Sequence, residues 1–148
     1  MLHREPLATT IDEEQDEYLR MLLMLQLYRP RPAVKAAIKG AYDASDWDWR
    51  QCDGCTGVSE MHSPKGMRFP PCVQHDYWCA LSLRAKTFEE ACGTRSIGDR
   101  LFLWGNIDFR VSLPRAFWRY GAVRLYWLVA GRRSWREARE RADSCSAK

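Results

Sequence analysis

No stretch of this chain is long and apolar enough to cross a bilayer. The best candidate, Ala116 to Ala130, is interrupted by Arg119 and Arg124, whereas a spanning helix needs roughly 20 predominantly apolar residues. No secretory leader is predicted either, because Leu22 to Leu27 is too short for its apolar core and acids precede it where a leader is basic. There is no internal repeat and no low-complexity tract, which excludes a solenoid and a linker-rich chain. A composition 46% hydrophobic and 28% charged excludes disorder, and 148 residues suit one domain around one core. These absences predict a soluble or peripheral protein.

Acidic residues are scarce from Arg110 onward, where Arg115, Arg119, Arg124, Arg132, Arg133, Arg136, Arg139 and Arg141 stand. The first thirty residues instead carry Glu5, Asp12, Glu13, Glu14, Asp16 and Glu17. A basic face suits an anionic membrane surface, nucleic acid or an acidic partner. A solvated helix face is the plainer explanation of the charge taken alone. Seven tryptophans are many for this length; most belong in the core, and a few suit a lipid or partner interface.

Helical periodicity dominates. Thr10 and Glu13 form a capping-box pattern, and Tyr18, Met21, Leu22, Leu25 and Tyr28 follow at helical spacing until Pro30 and Pro32 end the segment. A second helix fits Ala33 to Ala41. Residues 43–68 lose the periodicity and predict a long irregular segment, a form usually functional or held by metal or disulfide. Further helices are predicted from Cys72 to about Ala91, with Gly93 as a stop, and from Ile97 to about Phe109. An apolar helix then runs from Pro114 to Gly131, and Ser134 with Glu137 suggests a cap on a last short one. Within that apolar helix Phe117, Tyr120, Val123, Trp127 and Ala130 form a core stripe, leaving Trp118, Leu125 and Leu128 for lipid or a partner. The fold class is all-α with one long ordered loop.

The chemistry concentrates between Cys52 and Cys79, in the run CDGCTGVSEMHSPKGMRFPPCVQHDYWC. Cys72, His75 and Asp76 share one helix turn. Neighbouring residues on a helix point about 100° apart, so His75 and Asp76 address two adjoining sites, one for proton transfer and one for a cation. A hard divalent cation takes six to eight oxygens, and Asp53, the Gly54 carbonyl and Asp76 can supply some of them if Cys55 and Cys72 are bonded. Asp99, in IGDRLF, falls near the level of His75 if two helices form a hairpin around Gly93. An acid there would fix the imidazole tautomer.

The runs DWRQCDGCT, PPCVQHDYW and GDRLF together resemble the bacterial and fungal branch of the phospholipase A2 superfamily, across Asp48 to Phe102 and more loosely Ala122 to Gly131. The resemblance implies a helical hairpin with a disulfide-tied calcium loop. It divides the chain into an N-terminal helical segment (1–42) and a phospholipase A2-like domain (43–148). It implies His75 as general base, Asp99 as the residue that orients it, and Asp53, Gly54 and Asp76 as ligands of Ca2+ for hydrolysis of glycerophospholipid esters. The implied partner is a phospholipid membrane surface; nucleic acid is set aside. Protein partners in a larger assembly are further candidates, through the N-terminal helix or the basic C-terminal region. Two features depart from the family: Cys79 stands where a tyrosine supports the second aspartate, a task left to Tyr42, Tyr77 or Tyr120, and the Gly-rich calcium loop of the animal enzymes is absent.

Two other functions use the same residues. Cys52, Cys55, Cys72 and His75 have the C-x2-C-x16-C-x2-H spacing of a zinc site, but zinc would leave Asp76 and Asp99 idle. A structural or binding subunit could retain the fold without the chemistry. Cys55–Cys72 is the disulfide favoured by resemblance and by mechanical role, Cys79–Cys92 could bridge the hairpin, and Cys52 and Cys145 have no assigned partner. Disulfides without a leader suggest secretion or carriage in a particle such as a virion.

Overall fold

Proline sets the limits of the first elements. In the computed structural model, which describes residues 11–52 and 67–148, helix α1 spans Ile11–Tyr28 and α2 spans Pro32–Asp43. Pro30 cannot donate the amide that would continue α1, and Pro32 sits in the first turn of α2, where that amide has no helical partner anyway. A short 3-10 turn follows at Trp49–Gln51, capped by the Asp48 side chain accepting from the Arg50 amide. Helix α3 is Pro70–Arg84, α4 is Phe88–Asp108 and α5 is Leu113–Ser146. No strand occurs among the described residues, so the expected all-α class holds there. The Thr10 cap lies outside them.

Three predicted boundaries differ. The α3–α4 turn falls at residues 85–87, and Gly93 lies inside α4. Thr87 caps α4 by accepting from the Glu90 amide, while Glu90 accepts from the Lys86 amide, so both ends of that turn are satisfied without glycine. Helix α5 continues through Gly131 and Ser134. A methyl group at Gly131 would run into the Trp127 ring, so the glycine makes room for tryptophan and ends nothing.

Helices α1 and α2 share one core with the later helices: Met21, Ile38, Val73, Phe102 and Phe109 are all at most 3% exposed in a single cluster. Phe109 packs on Tyr28 and Phe69 at ring-centroid distances of 5.0 and 5.7 Å. Helices α3 and α4 approach closely because residue 98 is glycine; a Cβ there would collide with the Cβ of Trp78. Gly98 immediately precedes Asp99, so this close approach is made beside the candidate site. Asp108 is engaged elsewhere, its carboxylate bound in a two-pronged pair by Arg31 at the start of α2.

Candidate active site

His75 on α3 and Asp99 on α4 are brought together, as the sequence leads one to expect, with His75 Nε2 at 2.7 Å from Asp99 Oδ1. Asp99 is fully buried and His75 nearly so. Because an ionised carboxylate only accepts, Nε2 carries the proton of this bond. The Phe102 ring packs on the imidazole with centroids 4.6 Å apart, one turn along α4 from Asp99.

The carboxylate is not supported by a tyrosine. Arg95, one turn earlier on α4, donates Nε–H to Oδ1 at 3.0 Å, and Arg124 on α5 donates to Oδ2 at 3.0 Å. No tyrosine hydroxyl among the described residues reaches Asp99, and that of Tyr77 turns to Asp46. Burial alone would push the Asp99 carboxyl up, but the His75 hydrogen bond, the Arg95 charge and the Arg124 hydrogen bond outweigh it and hold it below the usual carboxylate value. The Arg95 side chain is fixed in turn by lying 5.3 Å from the Trp127 ring. The Arg95-x3-Asp99 spacing is a one-turn helical pair visible in the sequence. Nothing in the sequence marks Arg124, which comes from another helix.

Cys79 stands one turn after His75, with Sγ 3.8 Å from Nδ1 and 3.9 Å from Nε2. Such near-equal distances put the sulfur against the ring instead of in line with one lone pair. Burial also pushes the Cys79 thiol up to about 12, so it is held protonated and is no nucleophile. Cys79 and Cys92 are both free, which corrects the suggested bridge; the Cys79 sulfur faces the imidazole. Cys145 is free as well. Cys72 is disulfide-bonded.

Asp76 projects from the position after His75, and its Oδ2 accepts from the Cys52 thiol at 2.8 Å. Asp53, the next residue in the chain after Cys52, lies with Gly54 and Cys55 outside the described residues. Among the described residues no three His, Cys, Asp or Glu side chains converge as a metal site. Both edges of that segment are anchored. The Arg68 guanidinium donates to the carbonyls of Cys52 and Arg50 and to Glu17 Oε2 at 2.7, 2.9 and 2.6 Å, while the Arg68 amide donates to Glu17 Oε1 at 2.8 Å.

The outer side of α5 is apolar. Trp118, Leu125, Leu128 and Val129 are 77, 62, 74 and 79% exposed, and Phe117, expected in the core stripe, is 54% exposed. Exposed Arg132 and Arg136 continue this side toward the C-terminus. No helix among the described residues is long and apolar enough to cross a membrane. No protein-family model matches the chain, and no curated protein or solved structure matches it.

Proposed function

We propose that this chain is a calcium-dependent hydrolase of the phospholipase A2 type, acting on the ester bonds of glycerophospholipids. The observation that carries this reading is the buried His75–Asp99 pair, with Nε2 committed to the carboxylate and Nδ1 left to take a proton from water. The water oxygen then attacks the ester carbonyl carbon, and the proton passes from the imidazolium to the leaving alkoxide. Asp53, the Gly54 carbonyl and Asp76 would hold Ca2+, which supplies charge stabilisation for the oxyanion when bound. Asp76 fits this role by its placement beside Cys52, directly before Asp53 in the chain. A disulfide between Cys55 and Cys72 would tie that loop to α3, forming the hairpin and calcium loop of the family. The bonded state of Cys72 suits secretion or carriage in a particle such as a virion.

The apolar outer side of α5, followed by arginines, suits an anionic phospholipid surface as the place where substrate is met. The zinc reading loses ground on the same residues. A disulfide-bonded Cys72 is no thiolate ligand. A structural subunit of a larger assembly is favoured by one observation, the exposed row Leu19, Leu23 and Leu27 along α1.

Fatty-acid release from mixed phospholipid vesicles, measured with calcium and with excess chelator, tests the proposal. Calcium-dependent release is expected. Full activity in chelator would overturn the cation's role, and no release under any condition would favour the structural subunit.

A further inference from the structure

Charge balance around Asp99 is more than neutralised. One guanidinium would compensate one buried carboxylate, as Arg68 does for Glu17. Asp99 has two, and they differ in what they hold. Arg95 shares Oδ1 with His75, whereas Arg124 alone takes Oδ2. A carboxylate gripped on both oxygens from two helices cannot turn about its terminal torsion without breaking a charge-assisted hydrogen bond. The plane of Asp99, and with it the direction from which His75 Nε2–H is received, is thereby set.

We propose that Arg95 and Arg124 are positioning residues for the His75–Asp99 pair, and that Arg124 makes α5 an obligatory wall of the site. This rests on the phospholipase reading for its chemistry but not for its geometry. Arg95 is buried and locked against Trp127, so its loss would disturb packing. The Arg124 side chain is 29% exposed and bordered in sequence by exposed Leu125, which makes it the position to vary. The same helix therefore presents the apolar outer side and completes the support of the buried acid.

The test compares wild type, Arg124→Leu and Arg124→Lys in three measurements. These are kcat and KM for vesicle hydrolysis, melting temperature, and the His75 tautomer by nitrogen NMR. Loss of the second grip should lower kcat roughly ten- to a hundredfold, the range for residues that orient a catalytic group through another, and leave KM unchanged. It should also replace a single Nε2–H tautomer by a mixture, and Arg124→Lys should recover much of both. A purely structural role predicts otherwise: a lower melting temperature with unchanged kcat and an unchanged tautomer, and that result would overturn the proposal. If wild type hydrolyses no phospholipid, the functional reading fails by itself, and the tautomer result alone decides on the positioning role.

Discussion

Two buried carboxylates among the described residues, Glu17 and Asp99, are held by arginine, and they are held differently. Glu17 of α1 meets Arg68 at 2.6 Å, with side chains 5% and 9% exposed, and its other oxygen accepts the Arg68 backbone amide. Both Glu17 oxygens are taken by Arg68, and the other guanidinium donors go to main-chain carbonyls. Asp99 instead meets Arg95, Arg124 and His75, and the imidazole keeps a nitrogen that no carboxylate takes. The first arrangement is closed and joins α1 to the segment before α3. In the second, the remaining imidazole nitrogen, Nδ1, has the Cys79 sulfur at 3.8 Å. A buried ion pair can close on itself or include a histidine as a third member, and only the second kind is a candidate for proton transfer.

The comparison breaks most visibly at the two acids themselves. Asp99→Asn should reduce hydrolysis by about 10⁴-fold, because an amide neither fixes the tautomer nor stabilises imidazolium. It should also destabilise the fold, since Arg95 and Arg124 lose their acceptor charge; breaking a buried pair costs about 3 kcal/mol, and part-exposed Arg124 softens that figure. Glu17→Gln should show a similar loss in urea unfolding, about 3 kcal/mol, while kcat of the folded protein at saturating calcium stays at the wild-type value. A rate loss in Glu17→Gln equal to that in Asp99→Asn would erase the distinction.

Acid sharpens it further. Asp99 is held below the ordinary carboxylate value of 3.8 in the folded state. Its stabilising contribution is therefore complete above the unfolded pKa and is lost as pH falls through the lower folded value. Urea midpoints measured from pH 5 downward should drop more steeply in wild type than in Asp99→Asn. Equal slopes would show that other carboxylates carry the acid limb.

The smallest effect concerns sulfur. Cys145 is exposed and should alkylate readily at pH 8, whereas Cys79, with its thiol raised to about 12, should resist until the protein unfolds. Mass spectrometry of iodoacetamide-treated protein separates the two. Fast labelling of Cys79 in folded protein would mean that the imidazole activates it after all.

The residues that face each other one turn at a time were legible in the sequence. His75, Asp76, Asp99 and Phe102 are short-range patterns on two helices, and α1 and α2 are bounded by prolines. Gly93 suggests a stop that the helix does not make, and the turn instead sits where Thr87 and Glu90, three residues apart, form a capping box. Helix α5 is continuous because Gly131 makes space for Trp127, a packing reason that periodicity does not contain. Arg124 was beyond reach for a similar reason. Its partner lies on another helix, and only the packing of α5 against α4 decides which of eight arginines from Arg115 to Arg141 finds a buried acid.

On the phospholipase proposal His75 is a base and neither a metal ligand nor a core residue. His75→Gln tests it in one protein, measured for fatty-acid release, calcium binding and melting temperature. Hydrolysis should be abolished, calcium binding retained and melting shifted little, since glutamine can still donate to Asp99. A variant that melts early and releases bound metal would contradict it, because a structural zinc site contributes folding free energy directly and loses it with any ligand.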